Sequence, residues 1–204
     1  MNKAIFKSYD IRALCPSEFH PEDAERIARV LVAIYKPVRV LVGRDMRETS
    51  PAIEAALIRG LRASGVSVTR IGLCSTPLFN FAMNEVSDRY QLGVMVTASH
   101  NPAEYNGLKL VGPDHLQIGM GGGMELVRDR SVGDELFVDV TLSGEEGDDV
   151  NVLDRYLDNV FSLVGSNSLP VAGTIVVDAG NGMQGYVMPM LKKRLAPLTV
   201  EPLY

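Results

Sequence analysis

"VRVLVGRDMRETSPAIEAALIRGLRASGVSVTRI", residues Val38 to Ile71, is the stretch whose reading decides the fold. Val38 to Val42 is a short apolar-rich run closed by Gly43, which predicts a buried strand. Ser50-Pro51 predicts an abrupt helix start, with serine as N-cap and proline in the first turn, where its missing N–H costs nothing. Ala55, Leu57, Ile58 and Leu61 carry the apolar face to a stop near Gly65, and Val66 to Ile71 reads as the next strand. The pattern continues outward on both sides. Before it, Ala24, Ile27, Ala28, Leu31 and Ile34 fall at helical spacing within Pro21–Tyr35. After it, Thr76-Pro77 opens a helix through Leu78, Phe81, Ala82 and Val86, and Leu92 to Thr97 is a further strand. Strands alternating with helices predict layered α/β architecture with a largely parallel sheet.

Composition narrows the function classes. The chain has 204 residues, 46% hydrophobic and 22% charged, with a net charge of -5. That balance opposes a general nucleic-acid binder, which needs a basic face to displace counterions. Cys15 and Cys74 lie far apart with no metal-ligand spacing, which suggests a reducing compartment. MNKAIFKSYDIR lacks the apolar core of a signal peptide, and no window approaches the ~20 apolar residues of a membrane span. The expectation is a cytoplasmic protein with neither nucleic acid nor membrane among its partners.

Polar chemistry collects at predicted strand ends. Gly43 to Pro51 is a charged loop at the carboxyl end of a strand, where open α/β sheets bind ligands. An Arg44–Asp45 contact that fixes its shape is the simpler reading. Phe6 to Arg12 alternates as an edge strand would, and Arg12 could equally be an anion clamp, since guanidinium matches phosphate in a bidentate way. Thr97 to Leu110, TASHNPAEYNGLKL, follows a buried run and crowds Ser99, His100, Asn101, Asn106 and Lys109 together. It lacks the G-x-S-x-G elbow of an acyl-transfer nucleophile. Two readings stay open: a hairpin turning at Asn106-Gly107, or a serine that holds a phosphoryl group among cations and donors.

Farther on, Gly112 to Arg130 is glycine-rich and resists assignment, and SGEEGDD, Ser143 to Asp149, reads as a solvated acidic linker. A helix is expected from Val150 to Val164, then a loop ending at Pro170. Thr174–Asp178 is expected as a strand, Gln184–Arg194 as a helix and Leu198–Leu203 as a strand. Gly180-Asn181-Gly182-Met183-Gln184-Gly185 has G-x-G-x-x-G spacing, with Glu201 downstream. It can mark a dinucleotide turn or merely a tight strand-to-helix turn.

Four stretches together resemble one family, the α-D-phosphohexomutases, within it the bacterial phosphomannomutase/phosphoglucomutase branch. Phe6–Arg12 resembles its F-K-x-Y-D-I-R-G, and Gly43–Pro51 its G-R-D-x-R-x-S-S-P. Thr97–Lys109 resembles its active-site T-[AG]-S-H-N-P-x-x-Y-N-G-x-K, and Val176–Gly185 its V-V-D-x-G-N-G-x-x-G. Ala13 departs from the glycine after Arg12, and Thr49-Ser50 replaces Ser-Ser.

The resemblance implies a three-layer α/β/α first domain with a mainly parallel mixed sheet over residues 1–142. A linker at 143–150 and the first strand-helix-strand unit of a similar second domain at 151–204 would follow. It further implies an isomerase that interconverts hexose 1- and 6-phosphates of mannose or glucose through a 1,6-bisphosphate. Ser99 would carry the phosphoryl group, with Mg²⁺ on one of its phosphate oxygens. Arg12, Lys109 and His100 would be catalytic, and Tyr9 and Asn101 would bind substrate. The family's acidic D-G-D-x-D-R metal loop and its C-terminal domains do not occur in this sequence, so those domains are an expected partner and little or no turnover is expected without them. Phosphoglucosamine mutase is a sibling reading, less favoured because Tyr105 stands where an acid is usual. A non-catalytic α/β module that binds a nucleotide or a partner is the alternative from another class.

Overall fold

Alternation along the central strands sorts their side chains onto two faces, and helices cover both. In a computed structural model of the chain, described for residues 1–85, 89–134, 136–138, 146–165 and 172–203, two units form, Met1–Val150 and Asn151–Tyr204. The first is a three-layer α/β/α unit around a six-stranded mixed sheet. Its strands are β1 (Ile11–Leu14), β2 (Arg39–Arg44), β3 (Ser67–Leu73), β4 (Leu92–Val96), β5 (Tyr105–Val111) and β6 (Glu146–Asp149). They lie in the order β1-β5-β4-β2-β3-β6. β4, β2, β3 and β6 run parallel, whereas β5 is antiparallel to both β4 and β1.

Val40, Val42, Leu92, Val94, Val96, Leu108 and Leu110 point to one face. There they meet Ile27 and Leu31 of α1 (Pro21–Tyr35) and Ile53, Leu57 and Leu61 of α2 (Ser50–Ala63). Gly93 and Met95 point the other way, Gly93 against Phe79 and Met83 of α3 (Thr76–Glu85) and Met95 against Cys74. Burial pushes the Cys74 thiol up to about 12, which keeps it neutral in this apolar layer.

Several elements differ from the sequence expectation. Thr49, not Ser50, is the N-cap of α2. Ser50 is the first helical residue, and its hydroxyl turns inward to Asp45. Asn106-Gly107 is no turn but lies inside β5, because the loop before it bends earlier, at Asn101–Glu104. Of Phe6–Arg12, only Ile11 and Arg12 lie in β1; the residues before them bend back, and Phe6 bridges to Ile11. The glycine-rich stretch ends in α4 (Met124–Val132), which buries Met124 and Val127. Glu146–Asp149, expected as solvated linker, is an edge strand. The parallel edge of β3 is open to pairing there, and Arg70 holds Asp149 through two hydrogen bonds of 2.6 and 3.0 Å. Val86, Ser143–Glu145 and Pro170 lie outside the described residues.

The second unit contains α5 (Leu153–Val164), β7 (Thr174–Val177), α6 (Met183–Arg194) and β8 (Thr199–Pro202), with β7 and β8 paired in parallel. No helix among the described residues is long and apolar enough to cross a membrane.

Candidate functional site

Strand order explains why two distant loops meet. From β2 the chain passes through α2 to β3 on one side, and then through α3 to β4 on the other side of β2. The loops leaving β2 and β4 therefore share the carboxyl edge at a topological switch point, where such sheets open a crevice. Arg44 pairs with Val96 at the strand ends, and Asp45 N–H donates to Val96 O at 3.0 Å. Immediately beyond come Arg47 on one loop and Ser99 on the other.

Ser99 is exposed and has φ +54°, a left-handed conformation that costs a non-glycine residue about 1–3 kcal/mol and persists only where the surroundings impose it. They do so from both sides. The Ser99 N–H donates to Thr97 Oγ1 at 2.8 Å, and Thr97 Oγ1–H donates to Asp45 Oδ2 at 2.7 Å. The Ser99 carbonyl accepts from Arg47 Nη2 at 2.9 Å. Arg47 also donates to the carbonyls of Asn101, Pro102 and Tyr105 at 2.7, 2.7 and 2.9 Å, and its Nε to Asp45 Oδ2 at 3.2 Å. Asp45 takes two more bonds on Oδ1, from Ser50 Oγ at 2.8 Å and Arg47 N–H at 3.2 Å. Asn106, fully buried, ties the same place to α2 by donating to Thr49 Oγ1 and Ser50 Oγ at 2.8 and 3.0 Å.

The expected Arg44–Asp45 contact is thus replaced by Arg47–Asp45. Arg44 reaches away to Glu54 at 3.0 Å, touching only the Asp45 carbonyl, because its place at the end of β2 aims it over α2. Despite that ion pair, Glu54 titrates above its ordinary value: burial outweighs the attraction of Arg44, and Glu54 Oε1 has no partner among the described residues.

A second cluster converges on Asp10, a buried carboxylate just before β1. Its Oδ2 accepts both from Arg12 Nη2 and, at 3.3 Å, from Lys109 Nζ. Arg12 Nη1 donates to Asn101 Oδ1 at 2.6 Å, two residues beyond Ser99. Two cations on one carboxylate leave this edge of the serine loop net positive, and Arg12 Nε is buried with no hydrogen-bond partner among the described residues. Tyr9 is 73% exposed and His100 is exposed beside Ser99. The backbone under Tyr9 is fixed by the glycine-rich stretch: Met120 N–H donates to Ser8 O at 2.8 Å. A Cβ on Gly119 would stand 2.8 Å from that same oxygen, so only glycine allows the approach.

The structure therefore brings Arg12, Asn101 and Lys109 together and sets Ser99 on the loop they flank, with Tyr9 and His100 left to solvent. Sequence reasoning missed Arg47 as the anchor. Its place as the second arginine of Gly43–Pro51 is the one trace it leaves in the sequence, and that trace does not display the carbonyls it holds.

Around Gly180, the Asp178 carboxylate accepts the Gly180 N–H at 2.8 Å, and Gly180 and Asn181 are both left-handed, φ +53° and +57°. One of the amides that a pyrophosphate would need is thus spent inside the turn, which matches the simple strand-to-helix role.

Comparisons with known proteins agree with this fold. Residues 3–121 match the family model for phosphoglucomutase/phosphomannomutase, alpha/beta/alpha domain I. A probable phosphoglucosamine mutase of Methanosarcina barkeri is 39% identical over 191 residues, which are 94% of this chain and 42% of that protein. A phosphohexose mutase of Xanthomonas campestris is 37% identical over 195 residues, 96% of this chain and 42% of that one. The crystal structure of a phosphoglucomutase/phosphomannomutase family protein from Burkholderia thailandensis superposes with a TM-score of 0.81 at 31% identity, over 100% of this chain and 44% of that one. The chain spans about two fifths of the length of the curated relatives it matches, 42% in each case above.

Proposed function

The chain belongs to the phosphoglucomutase/phosphomannomutase family, and from that premise we propose that it is the part of a phosphohexose mutase that carries the phosphorylated serine. The observation that carries the reading is Ser99: exposed, held left-handed from both its N–H and its C=O, on a loop whose Asn101 is held by Arg12, which shares Asp10 with Lys109.

In the proposed step, Ser99 Oγ bonds to phosphorus of a hexose 1,6-bisphosphate while the bond from that phosphorus to the sugar oxygen breaks. The serine proton ends on the released sugar hydroxyl. Run in reverse at the other hydroxyl, the same step completes a 1-phosphate to 6-phosphate exchange. Phosphoryl transfer asks mainly for positioning and charge neutralisation. Arg12, with Nε unspent, and Lys109 supply positive charge, Asp10 keeps them together, and Asn101 is held by Arg12 to face the substrate. Tyr9 and His100 line the entrance, and Lys109 or Arg12 assists the proton.

Mg²⁺, implied by the family, would neutralise charge on the transferring phosphoryl group. The donor set fits it only in part. No group of three or more His, Cys, Asp or Glu side chains among the described residues converges to hold an ion, so this chain would offer a single oxygen of phosphoserine 99.

Intact-mass spectrometry after incubation with glucose 1,6-bisphosphate and Mg²⁺ tests the reading. A gain of about 80 Da that is lost in Ser99→Ala is expected; no gain in the unaltered chain removes the proposal. Repeating the incubation with mannose and glucosamine bisphosphates ranks the substrates, the aminosugar being kept in view by the identity to the Methanosarcina relative.

A further inference from the structure

Arg47 stands closest to the serine backbone of any cation described above, yet it has nothing left to give a ligand. A guanidinium carries five N–H donors. In this structure Nε goes to Asp45, Nη1 to the carbonyls of Pro102 and Tyr105, and Nη2 to those of Ser99 and Asn101. All five donors are spent on protein oxygens, and the side chain is only 8% exposed. This is not the environment of an anion clamp. Four carbonyl oxygens from one seven-residue stretch, Ser99 to Tyr105, converge on a single plane. Their dipoles would repel one another without a cation between them. Only a planar fork answers such an arrangement, since an ammonium offers three donors from one point.

The tie reaches the reactive residue through both of its backbone polar groups. Arg47 holds the Ser99 carbonyl directly, and it shares Asp45 Oδ2 with Thr97, whose hydroxyl holds the Ser99 N–H. Asp45 is therefore the common anchor of two jaws, fixed in turn by Ser50 at the start of α2. The jaws grip backbone and leave the side chain alone. Free serine and phosphoserine would thus be presented in the same place, which a group that must both accept and return phosphorus requires.

We propose that Arg47 is the positioning residue for phosphoryl exchange at Ser99: it holds the 99–105 loop so that the hydroxyl stays aimed at phosphorus, and it touches no substrate. This rests on the reading of Ser99 as the phosphoryl carrier. Arg47 has no contact to offer the sugar, so its loss lowers the rate of transfer at saturating donor and leaves the half-saturating donor concentration unchanged. Displacing a reacting group by about an ångström costs on the order of a hundredfold in rate.

The test uses the 204-residue chain as Arg47→Lys and Arg47→Ala, with Arg59→Ala, a largely exposed arginine of α2, as control. Two quantities are followed: the rate of phosphate gain by intact mass over a range of glucose 1,6-bisphosphate with Mg²⁺, and amide hydrogen exchange along the chain. In Arg47→Lys the saturating rate falls about a hundredfold, half-saturation stays put, and exchange quickens in 99–105 alone. Millimolar guanidinium restores part of the rate and of the protection in Arg47→Ala, while Arg59→Ala behaves as the unaltered chain. A lysine variant with the original rate, a change confined to half-saturation, or exchange that rises equally through α1 and α2 overturns the proposal. If the unaltered chain gains no phosphate, it is the carrier reading that fails. The exchange arm then decides alone: loosening confined to 99–105 and reversed by guanidinium upholds Arg47 as holder of the loop, and an unchanged loop rejects it.

Discussion

Asp45 is where a single side chain organises the most. Its carboxylate is 6% exposed and accepts from Thr97, Ser50 and Arg47, so removing its charge strands a buried guanidinium and two hydroxyls. Asp45→Asn is expected to cost about 3 kcal/mol, in the range for breaking a buried pair, read as a lower urea midpoint at unchanged slope. Glu54 gives a different signature. Its folded-state pKa is raised, so the native state holds the proton more tightly than the unfolded chain. The sign follows from linkage: as pH rises from the ordinary carboxylate value, 4.5 here, through the raised one, stability falls. Glu54→Gln should flatten that slope in thermal melts recorded across the acid range, and an unaltered slope would assign it to another group. Ser99, Arg12 and Lys109 were legible in the sequence as candidates, because a serine among cations is a pattern of side-chain types. Arg47 was not, because its partners are backbone carbonyls, which a sequence does not display, and because Arg44 lies nearer to Asp45 along the chain.

Among the elements, those with an unbroken apolar period were readable, α1, α2 and the central strands above all. β6 and α4 were not, for opposite reasons. Backbone pairing recruits β6 without any apolar side chain, and α4 buries few residues on an otherwise polar helix. The crossing of α1 and α2 sets up a conflict between local preference and packing. Gly60 lies inside α2, where alanine would ordinarily stabilise by about 1 kcal/mol. A Cβ there, however, would come 2.4 Å from the Glu25 carbonyl and 2.9 Å from the Ala28 Cβ. The first neighbour is backbone and cannot yield without moving α1. Gly60→Ala is therefore expected to destabilise by about 1–3 kcal/mol, the range for overpacking. An increase in melting temperature would mean that the helices slide apart at little cost.

At the scale of the molecule, the two units differ in what they bury. The large cluster of core side chains, from Ile5 to Val127, lies entirely within Met1–Val150. Every hydrogen bond that shapes the serine loop lies there too. In Asn151–Tyr204, by contrast, both apolar residues in the middle of β7 are open, Ile175 at 39% and Val176 at 56%. Units of this size bury only about 60% of the surface that their unfolded chain exposes, and they are marginal even with a complete core. A sheet of two strands adds little independent stability. Two consequences can be measured on separate pieces. Residues 1–150 alone should unfold cooperatively in urea and take up phosphate on Ser99 at the rate of the whole chain, because nothing that holds the loop has been removed. Residues 151–204 alone should show no cooperative transition and should bind a dye for exposed apolar surface. A sharp transition in the small piece would mean that its core is better closed than the exposure of β7 implies. Loss of cooperativity in the large piece would mean that the edge strand β6 needs the chain beyond it to stay paired.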